Sequence, residues 1–142
     1  MHELGLAEGI LAVTLGIAGE REVRRVTVRV GALQRVAPDS LEFGFRMLAE
    51  GTPAADARLD VVPVRARLRC AACGAESEMS GGVFGCPACG SPEVIALSGE
   101  EILVDEVELG GDHPEVIRRP GLTVTEPPHE HDHDHVAGVT AA

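Results

Sequence analysis

Two copies of one turn, Cys70-Ala-Ala-Cys73-Gly74 and Cys86-Pro-Ala-Cys89-Gly90, contain all four cysteines of the chain and are separated only by residues 74–85. Two intervening residues let both sulfurs of a pair reach one ion, and the glycine that follows tolerates the left-handed backbone that turns amides back toward sulfur. Two such turns together form a closed tetrahedral thiolate cage, the usual setting of structural zinc. A cage of this kind leaves no open coordination position for a substrate. It contributes folding free energy instead, on the order of 10 kcal/mol for a module too small to have its own core.

Two other chemistries use paired cysteines. A redox dithiol would sit in a thioredoxin-like βαβ pattern, which is missing around either pair, and would not need a twin. The Cys-Pro-x-Cys-Gly turn also resembles rubredoxin, whose iron transfers electrons; the short loop and the lack of aromatic residues stand against that reading. An iron site would colour the protein.

The other end of the chain offers different donors. It opens Met1-His2-Glu3, and the large His2 side chain disfavours removal of the initiator methionine. The Met1 amine, the His2 amide once deprotonated and the His2 imidazole then lie within one short chelate, a nitrogen-donor set suited to Ni(II) or Cu(II) in square-planar geometry. Amine and imidazole both lose protons near neutrality, so such a site would release its ion in mild acid. Taken alone, a histidine at position 2 is usually a matter of chance, and Glu3 reads as a first-turn acid favoured by a helix dipole before it reads as a ligand.

Between these ends the patterning is that of a mixed fold. Apolar residues at Leu6, Ile10, Val13 and Ile17, with a second row at Leu4, Ala7, Leu11 and Leu15, predict a helix with a broad buried face, weakened by Gly5, Gly9 and Gly16. Residues 22–30 alternate, with Val26, Val28 and Val30 on one side and Arg25, Thr27 and Arg29 on the other, as in a strand with one wet face. A second helix opens at Pro38-Asp39-Ser40-Leu41-Glu42, either with Pro38 at its first position or with Asp39 and Glu42 as a capping pair; Leu41, Phe45 and Leu48 form its stripe and Gly51 its stop. Residues 57–68 read as one long strand whose pattern slips near Pro63, marking a bulge or an edge position. Residues 94–109 are β-rich, with a bend at Ser98-Gly99. The cysteine module is thus expected as an insertion between two strands of the main sheet. Beyond Leu109 glycine and proline accumulate, and residues 110–142 are expected to form a flexible, acidic, His-rich tail.

Charge and composition exclude several classes. The net charge of −11 lies mostly in the C-terminal third, and no basic stripe of the kind that binds phosphate backbones is present. With no Trp or Tyr and only 3 Phe, stacking on nucleobases is excluded as well. Gly9 to Gly19 is too short an uncharged run to span a bilayer, and the first residues are acidic where a signal peptide would be basic, so a cytoplasmic protein is expected. Lysine is absent, so the chain has no Walker A phosphate loop. No Ser/His/Asp or Cys/His constellation stands apart from the metal residues, and no catalytic site is expected.

The segments Met1-His2-Glu3-Leu4, Val30-Gly31, Val36-Ala37-Pro38-Asp39-Ser40-Leu41-Glu42-Phe43, the two Cys-x-x-Cys-Gly turns and Gly99-Glu100-Glu101 together resemble the HypA/HybF hydrogenase-maturation proteins, over residues 1 to about 109. The resemblance implies a non-enzymatic metallochaperone that helps insert Ni(II) into [NiFe]-hydrogenase, with the large subunit as client and a HypB-type GTPase as partner. Some relatives also serve urease. By position, His2 with the Met1 amine becomes the nickel site, Glu3 a neighbour or ligand, Asp39 an acid near nickel, and Cys70, Cys73, Cys86 and Cys89 the structural zinc site, nickel being cargo. The implied fold is α/β in the α+β sense: two helices on a three-stranded sheet from residues 1–66 and 95–109, with a zinc-ribbon-like module at 67–94. A zinc-ribbon adaptor that binds proteins and carries no nickel is the alternative.

The chain departs from the family in two places. Some relatives carry a histidine between the cysteine pairs, but residues 74–85 have none. The stretch His129-Glu-His-Asp-His-Asp-His135 lies beyond the usual family length; His129, His131, His133 and His135 read either as a loose nickel store or as part of a solvated acidic end.

Overall fold

A computed structural model of the chain describes residues 2–79 and 85–124. Helix α1 runs His2–Ala18 and α2 runs Pro38–Ala49. The strands are β1 (Val23–Gly31), β2 (Arg58–Val64), β3 (Arg67–Cys70), β4 (Glu76–Glu78), β5 (Val94–Ser98), β6 (Ile102–Leu109) and β7 (Glu115–Thr123). They make two sheets, a larger one in the order β2-β1-β6-β7 and a smaller one in the order β4-β3-β5.

In the larger sheet β1 pairs in parallel with β2 and antiparallel with β6. Its helix-facing side carries Val26, Val28 and Val30 from β1 and Ile102, Val104, Val107 and Leu109 from β6, all buried. The change of parity within β6 has a local cause: Asp105 is an extra residue opposite β1, where the register steps from Thr27/Glu106 to Val28/Val104. The other face is wet and laced with ion pairs, among them Arg25–Glu108 at 3.0 Å, Arg29–Asp105 at 3.3 Å and Arg58–Asp60 at 2.7 Å. Exposed pairs like these contribute about 0–1 kcal/mol each. β2 is the edge strand, so Pro63 sits where a missing amide donor is tolerated.

Both helices cover the apolar face. α1 buries Leu6, Ala7, Ile10, Leu11 and Ala18, together with Thr14, whose hydroxyl donates to the Ile10 carbonyl at 2.8 Å. α2 begins with Pro38 at its first turn and Ala37 as its N-cap, without a side-chain cap, so the proline start holds and the Asp39/Glu42 capping pair does not form. Leu41 and Phe45 are buried, and α1 packs over Gly44, where an added Cβ would make ordinary contact with Leu4 Cδ1 at 3.4 Å and Ala7 Cβ at 3.5 Å.

Three expectations need correction. The larger sheet has four strands rather than three. The fourth, β7, lies in the segment expected to be a flexible tail: Gly110-Gly111 forms a hairpin turn with Gly111 at φ 86, and Val116, Ile117 and Leu122 pair with Glu108, Val107 and Val104. Glycine and proline there reflect turn and bulge chemistry, since the register of β7 shifts around residues 119–121 opposite Asp105. The single strand expected over 57–68 is two strands in different sheets, broken at Arg65-Ala66.

The sheets join where Ala66, Gly99 and Gly31 meet. A Cβ on Gly31 would overlap the Gly99 carbonyl, and one on Gly99, whose φ is 102, would come within 2.7 Å of Ala66 Cα. Main-chain bonds close the joint: Gly31 N–H donates to Glu101 O at 2.7 Å and Leu33 N–H to Gly99 O at 2.8 Å. The Ser98 hydroxyl donates to Arg65 O at 2.9 Å.

Candidate metal centres

The smaller sheet brings the two cysteine turns together. Cys70 ends β3, and in each turn the glycine amide closes back on the first cysteine's carbonyl, Gly74 on Cys70 at 2.9 Å and Gly90 on Cys86 at 2.8 Å. Both glycines adopt φ 79, the left-handed conformation that the repeated Gly was expected to supply. The result is a four-sulfur cluster whose ligand atoms all lie within 4.8 Å of one another, with Cys70 and Cys89 sulfurs 3.6 Å apart and Cys73 and Cys86 sulfurs also 3.6 Å apart. Among the described residues it is the one group of His, Cys, Asp or Glu side chains so gathered.

Its electrostatics divide the thiols into two kinds. Cys70 is pulled below the ordinary thiol range, chiefly by the Cys73 amide, and Cys86 falls to about 6, chiefly through the Cys89 amide. Cys73 and Cys89 also receive amides, from Ala75 and Ser91, yet the sulfurs beside them outweigh that pull; Cys73 is raised and Cys89 is pushed up to about 12. Four thiolates this close repel one another, and a divalent cation at their centre relieves the repulsion. Sulfur donors at this spacing fit zinc, and four of them fill a tetrahedral shell with no position over for a substrate ligand.

The amino-terminal candidates are gathered less completely. Met1 lies outside the described residues, and α1 starts at His2. The Glu3 carboxylate accepts a hydrogen bond from Ala37 N–H at 3.4 Å, tying the beginning of α1 to the N-cap of α2. Asp39, exposed in the first turn of α2, therefore lies at the same corner as the start of α1. That long-range bond was invisible in the sequence, because it joins residues far apart in the chain through an amide that carries no signal of its own. His129, His131, His133 and His135 lie outside the described residues. No helix among the described residues is long and apolar enough to cross a membrane.

Comparison with known proteins gives one consistent result. Residues 1–109 match the profile of the family described as HypA, hydrogenase/urease nickel incorporation, metallochaperone. The hydrogenase maturation factor HypA of Acidithiobacillus ferrooxidans is 36% identical over 112 residues, spanning 77% of this chain and 99% of that protein. The corresponding factor of Geotalea uraniireducens is 38% identical over 109 residues, with the same coverage. In fold, the solution structure of the nickel metallochaperone HypA from Helicobacter pylori aligns with a TM-score of 0.59 at 23% identity, covering 79% of this chain and 100% of that one. The chain belongs to the HypA family, and its role is non-catalytic carriage of nickel in hydrogenase maturation.

Proposed function

We propose that this member of the HypA family holds Ni(II) at its amino terminus, through the Met1 amine, the His2 amide and the His2 imidazole, and hands it to the large subunit of a [NiFe]-hydrogenase. Glu3 and Asp39 stand beside that site, Glu3 fastening the first turn of α1 to α2 so that the chelate is presented from a fixed corner. Zn(II) occupies the Cys70, Cys73, Cys86 and Cys89 cage and keeps the 67–98 module folded, since β5 pairs with β3 in the smaller sheet. The nickel-binding domain comprises 1–66 and 99–109, extended by β7. A HypB-type GTPase supplies the nucleotide hydrolysis, since a chain without lysine has no Walker A loop. The setting is cytoplasmic, where four free thiols keep their metal.

The observation that carries the reading is that the family match begins at residue 1, so Met1-His2-Glu3 falls within the shared segment. Calorimetric nickel titration of the chain with its four tail histidines replaced by alanine tests it. One Ni(II) binds per chain, and either His2→Ala or one extra residue ahead of Met1 abolishes that binding. Unchanged stoichiometry and affinity in both would leave a zinc-ribbon adaptor as the better description.

A further inference from the structure

The helical layer leaves an apolar surface uncovered. Phe43 and Met47, one turn apart on the outward side of α2, are 61% and 54% exposed, more than any other large apolar side chain among the described residues. Gly44 lies between them in the chain, and Leu4 of α1, itself 37% exposed, rests over it, with Cδ1 3.4 Å from where a Cβ would stand. The three side chains therefore flank the seam where α1 packs on α2. The core takes the other side of the layer, burying Leu6 and Ile10 of α1 and Leu41, Phe45 and Ala49 of α2.

Charge around this surface has one sign. Glu8 follows Leu4 by one turn on α1, while on α2 Asp39 precedes Phe43 by one turn and Glu50 follows Met47 by three residues, spacings that set acids beside the apolar side chains. All three acids are exposed, and none has an ion-pair partner among the described residues. The larger sheet behaves differently, for Asp60, Asp105, Glu106, Glu108 and Glu115 each meet an arginine. α1 contains no arginine or lysine, and the single base of α2, Arg46, lies on the β2 side, where it lines a cleft with Asp56 and Arg58.

These properties select the occupant. A second copy would bring the same acids to the seam, and residues 125–142 carry Glu126, Glu130, Asp132 and Asp134 with no arginine or lysine, so both are repelled. An anionic membrane is repelled for the same reason. The seam runs between helices and offers no strand edge, so what fits it is a helix with apolar anchors at i, i+3 or i+4. We propose that the Leu4, Phe43 and Met47 surface docks an amphipathic helix of a partner protein, whose apolar stripe is flanked by arginine or lysine facing Glu8, Asp39 and Glu50. The apolar anchors supply affinity, and the charges set orientation and speed encounter. The docked partner stands beside the first turns of both helices, at the corner where Glu3 accepts from Ala37 N–H. Docking of this kind needs no nickel at the amino terminus.

The test begins with photocrosslinking. Full-length chain with p-benzoylphenylalanine in place of Phe43 is produced in its native cells and irradiated, and the attached segment is identified by mass spectrometry. The expected segment belongs to another protein and has an apolar helical stripe bordered by basic residues. A synthetic peptide of that segment is then titrated against the purified full-length chain by fluorescence anisotropy. It binds about tenfold more weakly to F43A/M47A and about tenfold more weakly to E8R/E50R. Added salt weakens its binding to wild type but no longer does so for E8R/E50R. All four substituted side chains are exposed, so the circular dichroism of both variants matches wild type. Crosslinks confined to a second copy or to residues 125–142, an acidic segment, the absence of any adduct, or equal peptide affinity in wild type and F43A/M47A would each overturn the proposal.

Discussion

The two sheets of this protein are held together by different physics. The larger one buries a continuous apolar cluster from both helices and from β1, β2 and β6, with Phe45, Ile10 and Leu41 among its largest members. Among the described residues, the smaller one has Ala66 and Leu68 as its buried hydrocarbon residues, beside Cys70 and Cys86, and none of these four joins the main cluster. Three short strands whose described residues bury so little hydrocarbon offset little of the entropy of ordering their chain. On the proposed zinc reading, one lobe is self-sufficient and the other depends on its ion.

The strongest test of that contrast is to remove one sulfur. Cys86→Ser opens the cage, and the stabilisation lost from the small lobe is on the order of 10 kcal/mol, most of what a tetrathiolate site supplies. Hydrogen exchange will then show amides of β3 and β5 unprotected while β1 and β6 stay protected. Simultaneous loss in both sheets would mean the lobes fold as one unit. The converse substitution, Phe45→Ala, removes a fully buried ring from the main core and lowers stability by about 3–5 kcal/mol in denaturant unfolding, with zinc content unchanged.

A finer test uses protons. Cys86, held at about 6, is already a thiolate at neutrality; that advantage, absent in an unfolded chain whose cysteines titrate higher, is lost as pH falls through 6. Cys73 and Cys89, both raised, still carry protons there. Zinc uptake near neutral pH therefore releases at least the Cys73 and Cys89 protons, and below about 6 it releases the Cys86 proton as well, so affinity declines with acidification. Calorimetry in buffers of differing ionisation enthalpy counts them.

Much of this was legible in the chain because local patterning and packing agree. The alternation of β1 and the proline start of α2 agree with the fold, and of the double apolar row of α1 Leu6, Ala7, Ile10 and Leu11 are buried, whereas Val13, Leu15 and Ile17 are half-buried, Leu4 is exposed, and Thr14 and Ala18 are buried from outside either row. The cysteine cage was legible for a stronger reason, since sulfur spacing and the glycine after each pair encode geometry directly. What escaped was long-range. β7 was hidden because the residues that make its turn and bulge also mark disordered segments, and only pairing with β6 separates the two. The break at Arg65-Ala66 gives no compositional sign, because both flanking pieces read as strand. The Glu3–Ala37 bond depends on how the two helices meet.

The contact of Gly31 with Gly99 carries a consequence for divergence within such proteins. The angle between the two lobes is set by main chain lying on main chain, so surface side chains can drift widely without turning one lobe against the other. A single methyl group at position 31 would act as a wedge, and any descendant that acquires one must rebuild the crossing or lose its register.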